Sequence, residues 1–156
     1  MKTLLLSALI WGSLTVAAAA EMTQRPGWWV QKTDKPFGAL VDDVKSAVKA
    51  NKFGVVTQAG PTRAAKSRGI TIPGNRVIGV FNNVYAVRIL NLSTAAMIEA
   101  PIRMYVTEND DGTATLSYKK PSTVFAPYID EAGADLKTAA DELDAAFRKI
   151  AEAAAN

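Results

Sequence analysis

Residues 101–119 hold two runs of strict alternation around a turn cluster, and no other stretch constrains the fold as tightly. Ile102, Met104 and Val106 alternate with Arg103, Tyr105 and Thr107. Beyond Asn109-Asp110-Asp111-Gly112, the residues Ala114, Leu116 and Tyr118 alternate with Thr113, Thr115 and Ser117. A period of two on both sides of a turn predicts a β-hairpin with one buried face. The pattern also sets the loop length. A two-residue Asp111-Gly112 loop would place Val106 opposite Ser117 and mix polar with apolar residues on one face. A three-residue Asp110-Asp111-Gly112 loop places Val106 opposite Leu116 and Met104 opposite Tyr118, so the apolar sets coincide. Its last position favours the left-handed region, which glycine adopts freely.

The first 20 residues read as a signal peptide: Lys2, an apolar run over 4–16, then Ala17-Ala18-Ala19-Ala20 before Glu21. The run is short for a membrane span. Removing 20 of the 156 residues leaves 136, with 17 basic and 15 acidic side chains. The expectation is therefore a periplasmic or secreted protein with no stable membrane insertion after cleavage. That length suits one domain with one core. The near-neutral charge and the export signal both argue against a nucleic-acid partner. The sequence has no histidine and no cysteine. This excludes His- or Cys-ligated zinc, a thiol nucleophile and a Ser-His-Asp relay. Stability has to come from packing rather than disulfides.

Residues 21–33 read as a polar leader followed by a first strand, Trp28 to Lys32, with the two tryptophans on opposite sides. Tandem tryptophans suit either a stacking platform for a ligand or one core and one edge position; the core reading is favoured. From residue 34 to 152 a single α+β domain is expected. Phe37, Leu40, Val41, Val44 and Val48 recur at helical spacing, with Asp42, Asp43, Lys45 and Lys49 opposite. A second strand covers 53–57. A short helix over 61–68 stops at Gly69, with Ile70 as the hydrophobic contact of the stop. Arg63, Lys66 and Arg68 on that helix read as solvated charge.

Residues 76–81 form a strand that is apolar on both faces, so it is central, or its second face meets a subunit or a ligand. Gly79 within it signals close approach by a neighbour. Residues 84–98 read as one or two helical turns broken at Ser93-Thr94, and the two prolines in 121–128 predict a loop or edge strand. Leu136, Ala140, Leu143, Phe147 and Ile150 make the stripe of a long closing helix.

Four passages in this order resemble the bacterial family catalogued as domain of unknown function 302. They are Lys52-Phe53-Gly54-Val55; Gly69-Ile70 with Pro73 and Arg76-Val77-Ile78-Gly79-Val80-Phe81-Asn82; Pro101-Ile102-Arg103-Met104-Tyr105-Val106; and Asp111-Gly112. The resemblance spans residues 34–150. It implies a β-α-β(4)-α arrangement similar to TATA-binding-protein-like folds, and a dimer, but no activity. Many members carry cysteine where Phe81 stands and proline where Asn83 stands, so no thiol chemistry carries over. The residues alone lead to a similar architecture: a largely antiparallel sheet with helices on one face.

Two functions follow from this. The first is a non-catalytic periplasmic binding or assembly module, a homodimer taking a small anionic or amphipathic ligand. Its site would lie at Arg76, Asn82, Tyr85 and Tyr105, with no catalytic residue and no cofactor. The second is a small lyase or isomerase using Tyr85, Tyr105, Glu99 or Glu108 for acid–base work. Methionines at alternating strand positions, such as Met104, read as core rather than as iron ligands.

Overall fold

A computed structural model describes residues 22–156; the expected signal peptide, 1–20, lies outside the described residues. The elements are β1 (Trp28–Pro36), α1 (Phe37–Ala50), β2 (Gly54–Ala59), α2 (Thr62–Ser67), β3 (Asn75–Phe81), α3 (Asn83–Leu92), β4 (Ile102–Glu108), β5 (Thr113–Lys119), α4 (Pro121–Phe125) and α5 (Ile129–Ala155). Short 3-10 turns at Ala96–Glu99 and Ala126–Tyr128 complete the chain.

The hairpin β4–β5 forms in the expected register, with Met104 opposite Tyr118, Val106 opposite Leu116 and Glu108 opposite Ala114. The Asn109 amide donates to the Thr113 carbonyl at 2.8 Å, enclosing the three loop residues. Gly112 closes the loop at φ 80°. Asn109 is buried, and its side chain is fully engaged. Its Nδ2 donates to Thr113 Oγ1 and its Oδ1 accepts from Thr115 Oγ1, both at 2.9 Å. A buried polar group satisfied on both sides fixes a turn instead of weakening it.

Five antiparallel strands lie in the order β1-β5-β4-β3-β2. Set beside the two long helices, this is the expected α+β arrangement, with short helices inserted between strands. Ile78, Met104, Val106, Leu116 and Tyr118 point to one face, where they pack with Leu40, Val44 and Val48 of α1 and Leu136, Leu143, Phe147 and Ile150 of α5. Lys35, at the end of β1, donates to Asp43 of α1 at 2.7 Å and to the Ala154 carbonyl in the last turn of α5 at 2.9 Å. It satisfies a helix-terminal carbonyl with positive charge, the sign the helix dipole favours there.

Local signals behave as their chemistry requires. After α2, Gly69 sits at φ 74°, its amide bonds the Lys66 carbonyl, and the Ile70 amide bonds the Ala65 carbonyl, the paired bonds of a glycine helix stop. Ile70 itself is 48% exposed and does not supply the hydrophobic contact. A Cβ on Gly79 would lie 2.1 Å from Thr57 Oγ1 and 2.9 Å from Pro101 Cγ, so the close approach is real.

Three expectations change. β1 continues through Asp34 to Pro36 and pairs with β5, so the first strand belongs to the domain and is not part of a leader. Residues 121–128 are α4 and a 3-10 turn, neither loop nor edge strand. Pro121 and Pro127 occupy first-turn positions, where a missing N–H costs nothing. Residues 83–92 form one ten-residue helix, followed by the 3-10 turn whose first amide, on Ala96, is bonded by Ser93 Oγ at 3.0 Å.

Leu116 is fully buried at the centre of this core. Leu116→Ala is expected to lower the unfolding free energy by about 2–5 kcal/mol in urea titrations. Arg103→Ala, on the opposite face of the sheet, is expected to stay within about 0.5 kcal/mol of the parent.

Candidate functional site

The second face of the sheet carries the residues that alternate with the core row. Cross-strand register sets Trp28 beside Lys119, Val30 beside Ser117, Ser117 beside Tyr105 and Tyr105 beside Val77. One step along the same β4–β5 register brings Arg103 beside Lys119. The outward residues of β5, Thr115 and Ser117, are small and buried beneath larger neighbours. The larger side chains on either side form the walls of a groove of about 330 Å³. Trp28, Val77 and Tyr105 give it apolar surface, Arg103, Lys119 and Asn75 give it polar groups, and Glu99 and Val124 also line it.

The electrostatics are one-sided. Lys119 Nζ and Arg25 Cζ each lie 5.7 Å from the centre of the Trp28 ring, within cation–π range. Arg103 and Lys119 have no carboxylate partner among the described residues. Asn75 Nδ2 donates to the Tyr105 hydroxyl oxygen, which leaves the hydroxyl proton free for a further acceptor. Glu99 is already engaged, accepting from the Tyr128 hydroxyl at 2.9 Å. That bond to Glu99, more than desolvation, raises the Tyr128 pKa.

A second cavity, about 30 Å³, lies beside Phe53, Asn82, Tyr85 and Phe147. Phe53 and Tyr85 stack there at 6.1 Å and 17°. Burial raises the Tyr85 pKa, with Glu142 adding to the effect. The space is of the size of a water, not of an organic ligand.

The four residues singled out from the sequence separate into three places. Tyr105 lines the groove. Asn82 and Tyr85 come together at the small cavity, but Asn82 is a helix cap. Its Oδ1 accepts from the Val84 and Tyr85 amides at 2.9 and 3.3 Å, and its Nδ2 donates to the Lys52 carbonyl at 3.1 Å. Arg76 pairs across the sheet with Val106, on the core side, and its buried Nε makes no hydrogen bond. Among the acid–base candidates, Glu108 Oε2 accepts from the Gly74 amide at 2.5 Å and Glu99 is bound by Tyr128, so neither pairs with Tyr85 or Tyr105. Met104 is fully buried in the core. Trp28, Arg103 and Lys119 belong to the groove although the sequence did not assign them to a site. The signal for Arg103 was present in the hairpin alternation, which sets it on the same face as Tyr105.

Asn82 thus stabilises α3 and does not reach the groove. Asn82→Ala is expected to cost about 1 kcal/mol in urea unfolding, and Asn82→Asp, which keeps the acceptor, is expected to recover most of it.

The family model described as domain of unknown function DUF302 matches residues 29–154. A crystal structure of an uncharacterized conserved DUF302 protein from Bacillus stearothermophilus is similar at a TM-score of 0.72 and 18% identity, covering 83% of this chain and 98% of that one. At that identity the likeness is one of fold. No curated protein matches the chain.

Proposed function

The chain belongs to the DUF302 family, and we propose that within it the protein is an exported, non-catalytic binding module whose ligand lies on the uncovered face of the sheet. The observation that carries this reading is the groove of about 330 Å³, where Trp28, Val77 and Tyr105 stand beside Arg103, Lys119 and Asn75. Its volume falls at the lower end of small-molecule sites, and apolar lining with a few convergent polar groups is their usual make-up. The leader sequence supports export, to the periplasm or beyond. No helix among the described residues is long and apolar enough to cross a membrane.

The chemistry of the side chains supports binding over turnover. The tyrosines with shifted pKa values, Tyr85, Tyr118 and Tyr128, all move upward, the first two chiefly through burial. They remain protonated at neutral pH and serve as donors, not as bases. A tyrosine acting as the base of a lyase or isomerase would need its pKa moved the other way, toward neutrality.

The neutral aromatic amide naphthalene-2-carboxamide serves as a probe of the groove. Calorimetric titration is expected to show one site per chain, weakened about tenfold or more in Trp28→Ala and Tyr105→Ala, each checked for native circular dichroism. Absence of binding, or binding indifferent to both substitutions, would remove the groove reading.

We assign the homodimer contact to α3. Val84, Val87 and Leu90 stand 77%, 50% and 45% exposed along this helix, with Ile98 at 79% on the adjoining turn. An exposed apolar stripe of this kind marks an interaction surface. The groove face is the less suitable one, because a second copy there would bring Arg103 and Lys119 near their own counterparts. Native mass spectrometry is expected to show a dimer that becomes monomeric in the Val84→Lys, Val87→Lys double variant; a monomeric parent chain would refute this assignment.

A further inference from the structure

We infer that the groove takes a planar monoanion, an aromatic or conjugated carboxylate or sulfonate; this deepens the binding reading above and rests on it. Three strands place a ring and two cations in one row across the sheet: Trp28 on β1, Lys119 on β5 and Arg103 on β4. Trp28 and Lys119 are direct cross-strand partners, and Arg103 and Lys119 are the next positions beyond the Met104–Tyr118 pair that ends the hairpin ladder, so the three side chains rise from adjoining positions of the sheet. The next row adds Tyr105, with a hydroxyl proton left free by Asn75. A flat ligand lies along Trp28 and Tyr105 with its anionic group between Arg103 and Lys119.

Charge selects the class. Two like charges on adjacent strands repel each other, and here no carboxylate among the described residues pairs with either. The cost of that arrangement is removed when an anion lies between them. Lys119 is held near the Trp28 ring, a weaker interaction that leaves its ammonium protons available. The anion cannot be of high charge. Glu99 lines the same groove, so its ionisable lining is two basic groups against one acidic and the surplus is a single positive charge. A polyphosphate or nucleic-acid backbone would meet that carboxylate, whereas one carboxylate or sulfonate balances the site. Hydrogen-bonding supply agrees: guanidinium, ammonium and phenol are all donors, and Glu99, the one anionic acceptor, is bound by Tyr128.

The test compares two isosteric probes, naphthalene-2-carboxylate and naphthalene-2-carboxamide, by calorimetry on the full chain in low and high salt. The carboxylate is expected to bind roughly tenfold or more tightly at low salt, as charge-assisted bonds to partly exposed groups allow. Its advantage is expected to shrink as salt rises. The Arg103→Gln, Lys119→Gln double variant, both positions lying on the surface away from the core, is expected to bind the two probes equally. Equal binding of the two probes to the parent chain, sensitive to Trp28→Ala, would overturn the anion preference and leave the groove reading standing. A carboxylate preference that survives in the double variant would overturn the roles of Arg103 and Lys119. Failure of both probes to bind would overturn this inference together with the groove reading.

Discussion

The register of one hairpin governs the rest of the structure. Pairing of β4 with β5 decides which side chains go to the helices and which to the outer face, because successive residues of a strand point to opposite sides. A slip by one residue would turn Met104, Val106, Leu116 and Tyr118 outward together. At about 1.5–3 kcal/mol for each large buried side chain, that loss is comparable with the whole stability of a domain, about 5–15 kcal/mol. The turn adds its own specification through Gly112 at positive φ and through the buried Asn109, whose side chain has partners only in the native register. The neighbouring strand is tied in as well: Glu108 bonds Gly74 through both its amide and its carboxylate.

Much of this architecture was legible in the sequence, and the gaps have physical causes. The hairpin, α1 and the stripe of α5 were plain because one face of each is apolar and the other largely polar. α3 was blurred because its solvent side is apolar too: Val84, Val87 and Leu90 remain exposed, so no polar face marks the period. Pro121 and Pro127 were read as breakers, although a first-turn position exploits proline's missing donor. For the site, Tyr105 and Arg103 share a face by alternation alone. Their meeting with Trp28 depends on β1 pairing with β5, strands separated by about half the chain, and no local pattern encodes that neighbour. Asn82 looked like a ligand-binding side chain because cap and ligand residue use the same acceptor chemistry; only geometry distinguishes them.

The two faces of the sheet differ in make-up: one is packed against helices and the other carries the groove. On the helix side polarity is scarce, and Tyr118 is buried against Trp29 and Phe147, its pKa raised by that burial. On the other side, donors and positive charge gather around aromatic surface, held by a backbone that the opposite face keeps rigid. Side chains there are anchored to strands and not to loops, so a recognising group shifts little unless the core shifts with it. In a protein without histidine or cysteine, the positions of the groove side chains are set by the strand ladder.

The burial of α5 also bears on how the chain comes to be folded. Leu136, Leu143, Phe147 and Ile150 cover Met104, Leu116 and Tyr118, yet they follow every strand in the order of synthesis. A nascent chain that has reached residue 135 therefore holds all five strands and α1 but lacks the helix that completes the cover over Met104, Leu116 and Tyr118, so the core closes only once the last turns of α5 have emerged.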